Sequence, residues 1–120
     1  MAITFTTVKG DKEVNYGYRG FRVFRVELAR RIDAHLGDLY GDTIFMLRMP
    51  EVFNKQFNEM VSDKRFDGKE ELIAFLCMSD CEGKISAKLC RQIADIMGDY
   101  DELSEMMRWC AENRRKLVWY

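Results

Sequence analysis

An α+β fold is predicted: about five helices packed on a small antiparallel sheet formed by the N- and C-terminal strands. Three observations carry it. Residues 2–8 alternate in polarity, with Ile3, Phe5 and Thr7 on one side, the period of a half-buried strand. The far end, Leu117-Val118-Trp119-Tyr120, is a β-branched and aromatic run after a charged break at 112–116. It needs a partner, because an isolated edge is unstable in water. Nearly everything between has helical spacing.

Gly10-Asp11 supplies a turn. Val14, Tyr16 and Tyr18 alternate again, as in a short second strand. From Gly20, Phe21, Phe24, Leu28, Ala29, Ile32 and Leu36 share one helical face, and Gly37 suits its C-terminal cap. Residues 38–49 stay ambiguous, since Thr43-Ile44-Phe45-Met46-Leu47 suits a buried strand or a helix start. Pro50, the one proline, fits the first turn of a second helix with Phe53, Phe57, Met60 and Val61 inward. A loop over Asp63–Gly68 leads to a third helix from Lys69 to Met78, with Leu72, Ile73, Leu76 and Cys77 inward. Ser86 is the expected cap of a fourth helix carrying Leu89, Cys90, Ile93, Ala94, Ile96 and Met97. Gly98-Asp99-Tyr100-Asp101 breaks it. A fifth helix over about 101–113 turns Leu103, Met106, Met107 and Cys110 inward, with Trp109 at the border.

Composition bounds the function. A chain of 120 residues, 48% apolar and 32% charged, reads as one domain over 1–120 able to build its own core. Net charge is −1, which disfavours a general attraction to nucleic acid or anionic lipid. No apolar run approaches the roughly 20 residues of a membrane span. The first residues lack the basic start and apolar stretch of a signal peptide, so a cytoplasmic location is expected. The four cysteines then read as reduced thiols, with Cys77, Cys90 and Cys110 on apolar stripes.

Ser79-Asp80-Cys81-Glu82-Gly83-Lys84-Ile85-Ser86 is the pattern that asks for most explanation. Aligned on Gly83 with a helix-loop-helix calcium loop, Asp80 and Glu82 fall on ligand positions and Ser86 on a weak one. Met78 and Leu89 stand where the opening aspartate and closing glutamate belong, too few oxygens for tight binding. Asp80, Glu82 and Ser86 are therefore the metal candidates, beside a plainer architectural reading. In that reading Asp80 accepts from amides two or three residues on, Gly83 takes a left-handed conformation, Ile85 enters the core and Ser86 caps the next helix.

Three segments resemble an uncharacterised family of small bacterial and phage proteins. They are Tyr16-Gly17-Tyr18-Arg19-Gly20-Phe21-Arg22-Val23-Phe24-Arg25 running on to Leu28-Ala29; the stretch from Glu71-Leu72-Ile73 and Phe75 through Ser79-Asp80-Cys81-Glu82-Gly83 and Ile85 to Ala87-Lys88-Leu89; and Trp109-Cys110-Ala111 with Leu117-Val118-Trp119. They cover a little under half of the chain, and the Ser-Asp-Cys-(Asp/Glu)-Gly turn is the specific part. Residues 37–66 have no counterpart. The resemblance implies a phage or prophage setting and brings no activity with it.

Other patterns have plainer explanations. His35, the single histidine, sits beside an apolar stripe and reads as structural. Asp95, Asp99, Asp101 and Glu102 suit helix faces and caps; acid-base catalysis would need a cleft around such a pair. Arg19, Arg22, Arg25, Arg30 and Arg31 scatter around the first helix. No catalytic residue, cofactor site or phosphate loop is read. The expected function is non-enzymatic protein-protein binding, to which host-takeover and anti-defence roles are suited. Tyr16, Tyr18, Arg19, Arg22, Trp109 and Tyr120 are the contact candidates, since aromatic and arginine side chains dominate interface hot spots. A ligand- or calcium-binding module and a carboxylate-based enzyme are the alternatives.

Overall fold

The computed structural model describes residues 2–44 and 50–120, with side chains for 2–41 and 54–120. Among the described residues the fold is α+β. In chain order the elements are β1 (Ala2–Thr7), β2 (Glu13–Gly17), α1 (Tyr18–Ile32), α2 (Ala34–Ile44), α3 (Pro50–Val61), a 3₁₀ turn (Lys64–Phe66), α4 (Glu70–Leu76), β3 (Gly83–Ile85), α5 (Ala87–Met97), α6 (Glu102–Glu112) and β4 (Leu117–Trp119). The strands form one antiparallel sheet in the order β2-β1-β4-β3. The two chain ends do pair, Phe5 opposite Trp119 and Thr7 opposite Leu117. β3 was not expected. Three residues read as the end of a turn complete the sheet against β4, because Ile85 needs burial and Gly83 makes room for Trp119.

Ile3, Phe5, Ile85, Leu117 and Trp119 are buried on one sheet face with Phe21, Phe24, Phe75, Ile93 and Met106. At its centre the Phe5, Phe21 and Trp119 rings lie with centroids 5.1–5.7 Å apart, and Phe75 adds a fourth at 5.9 Å from Trp119. Edge contacts of this kind add to the area term. Gly83 stands opposite Trp119 in the register, and a Cβ placed there would run into the indole ring. The glycine is therefore required by a close approach and not by a left-handed backbone: the glycines with positive φ are Gly10, Gly68 and Gly98.

The first expected helix is two. Asp33 leaves helical geometry at φ −164° and its carboxylate accepts from the Leu36 N–H at 3.0 Å, capping a new helix. Gly37 is not a C-cap but lies in α2, where an added Cβ would fall 2.6 Å from the Arg30 Cα. Gly37 and Gly41, four residues apart, let α2 fold back tightly on α1. The Tyr40 hydroxyl then donates to the Leu76 carbonyl at 2.9 Å, fixing α2 to the end of α4.

Other helices follow expectation closely. Pro50 opens α3, with Phe57 buried and Met60 and Val61 half-buried. The inward side chain expected at Phe53 and the strand-or-helix choice at 45–47 lie outside the described residues. Ser86 caps α5, accepting from Leu89 N–H at 3.1 Å. Asp101 caps α6 in a reciprocal box with Ser104, and Leu103, Met106, Met107 and Cys110 are buried. Cys77 is exposed rather than inward, because α4 ends at Leu76 and Phe75 takes the inward place.

These contacts set the cost of three substitutions. Gly83→Ala forces the locked indole to move and is expected to cost about 3 kcal/mol. Gly17→Ala meets open space and stays within about 0.5 kcal/mol of the parent in urea unfolding. Burial pushes the Tyr40 hydroxyl up to about 12 from 10.0. The unfolded chain therefore releases that proton first, and stability is intact below pH 10 and falls as pH rises toward 12. Tyr40→Phe is expected to lose about 1 kcal/mol at neutral pH, with the gap to wild type narrowing in urea titrations above pH 10.

Candidate functional site

The turn after α4 is built around a buried cation. Arg25, only 2% exposed, reaches it from α1. One terminal nitrogen donates to the Met78 carbonyl at 2.7 Å and to Asp80 Oδ1 at 3.2 Å, and the other to the Ser79 carbonyl at 3.2 Å. The guanidinium lies over the Phe21 ring, 3.9 Å from its centroid, with Phe75 at 5.2 Å. Arginine suits this place, because its planar fork both stacks on rings and spreads several donors. The Ser79 carbonyl also accepts from the Trp119 indole at 3.0 Å. One peptide oxygen thus ties α1 and β4 to the turn.

The turn itself differs from the expected pattern. Asp80 does not close an Asx-turn; that bond comes from Ser79, whose hydroxyl accepts from Cys81 N–H at 3.0 Å. The Asp80 carboxylate points instead at two guanidiniums, Oδ1 at Arg25 and Oδ2 at Arg22, 3.1 Å away. Gly83 is in β3, not left-handed. Glu82 is exposed, and the Ser86 hydroxyl is committed to its helix cap. Among the described residues no group of three or more His, Cys, Asp or Glu side chains comes together as a metal would need.

Register places the contact candidates. Ala2 pairs with Gly17, Thr4 bonds to Tyr120 and Gly83 pairs with Trp119, so one end of the sheet gathers the start of α1, the turn and the last residue. Tyr18, Arg19, Arg22 and Tyr120 belong to that end. Arg19 is exposed, Arg22 half-exposed and Tyr120 64% exposed. Burial, and then the neighbouring Cys81, push the half-buried Tyr18 hydroxyl up. Trp109 lies apart, half-buried with the Lys12 ammonium 5.4 Å over its ring. Tyr16 is also half-buried; its ring meets Phe5 edge-on and its hydroxyl donates to Asp101. Burial and then that carboxylate hold the Tyr16 proton on.

The remaining acidic candidates do not converge. Asp101 caps α6, Asp99 pairs with Arg108 at 3.0 Å and Asp95 is exposed. His35, read as a structural residue, is exposed in the first turn of α2. It lines an open cleft of about 580 Å³ with Asp38, Gln56, Glu59 and Arg65, and Arg65 is held by Asp33 at 3.4 Å. Sequence reasoning missed Arg25 as the organising side chain. The available signal was its position between Phe24 and Val26, next to the apolar stripe.

No family model, curated protein or solved structure matches this chain.

Arg25→Met keeps the packed stem but takes a donor from three turn oxygens, of which only the Ser79 carbonyl keeps another in the Trp119 indole, and a loss of about 3 kcal/mol is expected. Arg25→Lys recovers little of it, since a point charge cannot serve three carbonyl and carboxylate positions. Arg22→Met, at a half-exposed pair, costs less than about 1 kcal/mol. Guanidinium unfolding of the three variants measures all of this.

Proposed function

We propose that the protein acts without catalysis, by binding another protein through the end of the sheet that carries Tyr18, Arg19, Arg22 and Tyr120. The carrying observation is the combination of a rigid base and an exposed rim. Arg25 and Trp119 hold the turn from below, while Tyr120 and two arginines stand outward in the chemistry that dominates binding hot spots. Tyrosine and arginine on a preorganised support lose little entropy on contact. The resemblance of the turn and its flanks points to a phage or prophage setting inside the cell, where blocking a host protein needs only such a surface. Trp109 is not part of this contact, and Tyr16 supports the surface from within.

Capture from the native host, with the whole chain as bait and mass spectrometric readout, tests the reading. A specific partner is expected with wild type, reduced at least tenfold by Arg19→Glu and by Tyr120→Ala, whose melting temperatures stay near wild type. Equal capture by all three baits would overturn the assignment. A rise in melting temperature with calcium that Asp80→Ala abolishes would favour the metal-binding alternative instead.

A further inference from the structure

The free edge of β2 points to an occupant different from the partner proposed above: a second copy of this chain. Thr4 N–H donates to the Tyr120 carbonyl at 2.9 Å, Tyr120 N–H returns to the Thr4 carbonyl at 3.1 Å, and Val8 N–H donates to the Lys116 carbonyl at 3.4 Å. Backbone groups of alternate strand residues face the same side. Thr4 and Thr6 therefore turn toward β4, and Ile3 and Phe5 toward β2. Their register partners Tyr16 and Val14 spend their backbone groups inside the sheet. The N–H and C=O of Glu13 and Asn15, and the N–H of Gly17, face away from it. All three of these residues are exposed.

The two edges of this sheet are unlike. β3 is three residues long and carries Lys84, the short charged edge that discourages pairing. β2 has five residues, with no proline and no lysine. Its outward residues are its first, middle and last. We infer that two copies pair antiparallel through β2 about a two-fold axis at Asn15, joining their sheets into one. This register sets every outward residue opposite another and leaves only the Glu13 N–H without an acceptor; a shift of one or two positions leaves more outward groups of one strand unmatched.

Side chains agree with that register. Glu13 falls opposite Gly17 of the second copy, so no like charges meet, and a side chain at Gly17 finds nothing within 4 Å. Val14 falls opposite Tyr16, a β-branched residue against an aromatic, one of the favourable cross-strand pairs. Both are half-buried in the single chain, leaving apolar surface for the copy to cover. Asn15 meets Asn15, two neutral amides. A two-fold normal to the sheet keeps the helical layers of both copies on one side.

Sedimentation across a concentration series tests the pairing, with hydrogen exchange as second readout. Wild type is expected to pass from the mass of one chain to that of two, and the Asn15 and Gly17 amides to slow as it does. Asn15→Lys sets like charges face to face at the axis and should stay monomeric throughout. Asn15→Pro removes an N–H that the single chain does not use, and should also stay monomeric with its melting temperature little changed. Loss of the dimer in Asn15→Lys alone suffices if the proline variant fails to fold. Wild type that remains one chain at every concentration, or an Asn15→Lys variant that dimerises like wild type, would overturn the inference. Neither variant touches Arg19 or Tyr120, so partner capture and self-pairing succeed or fail separately.

Discussion

The guanidinium of Arg25 is the constraint from which the rest of the arrangement follows. A buried charge costs several kcal/mol unless it is hydrogen-bonded and paired, and here its two terminal nitrogens are met by peptide carbonyls of Met78 and Ser79 and by one carboxylate oxygen. That requirement shapes the chain after α4. The helix must stop at Leu76 so that the following carbonyls turn inward rather than continue the helical ladder. Once they do, the chain is delivered alongside β4, and Gly83–Ile85 can pair there. Ser79 also receives the Trp119 indole, so the position of the last strand depends on the same carbonyl. Arg25, Phe21, Phe75 and Trp119 form one unit, in which ring faces accommodate the cation and peptide oxygens hold it.

Much of the architecture was legible because it rests on local chemistry. Strand alternation, the Ser86 and Asp101 caps, the Pro50 start and the apolar stripes of α5 and α6 are each encoded within a few residues of where they act. What was not legible depends on contacts distant in sequence. Gly83 reads as a turn glycine until Trp119 is seen where its side chain would be. Gly37 reads as a cap until Arg30 is found against it. Asp33 lies within an unbroken apolar period, and only the return of α2 onto α1 makes the break favourable. Arg25 shares its helix with four other arginines of the same apparent character, and 53 residues separate it from the carbonyl that sets it apart. The grouping of the candidates was half legible for a related reason: residue type singles out Tyr18, Arg19, Arg22, Tyr120 and Trp109 alike, and only the fold gathers the first four at one end of the sheet and sets Trp109 on α6 beside Lys12.

The sheet divides its surface into regions with different prospects. Its inner face is consumed by helices. One end carries the exposed tyrosine and arginines above the Arg25 anchor. The other end is tied by local polar bonds: the Thr7 hydroxyl and the Arg115 guanidinium, 2.8 Å away, hold the Asp11 carboxyl below its usual range. Among the described residues the outward groups of β2 have no partner strand. A domain with one edge blunted by brevity and charge and the other left smooth presents a direction for association, and that direction lies along the sheet and leaves the aromatic end free. Self-pairing would therefore set two aromatic-arginine ends in fixed relation, which raises the effective concentration for a partner that is itself two-fold symmetric.

The same buried cation bears on what Asp80 can do. A carboxylate recruited to calcium works as one of several oxygens around a dication. At this turn both Asp80 oxygens already face guanidinium groups, and one of those groups has no exit: Arg25 is enclosed by Phe21 and Phe75, and its Nε has no hydrogen-bond partner among the described residues. Drawing Asp80 onto a metal would leave a cation short of its counter-charge in a place water does not reach, next to a second cation. Coulomb repulsion and desolvation both oppose that. Chemistry at this turn is thus directed outward, through the half-exposed Arg22 and its neighbours, where charge can be exchanged with a partner surface without disturbing the anchor beneath.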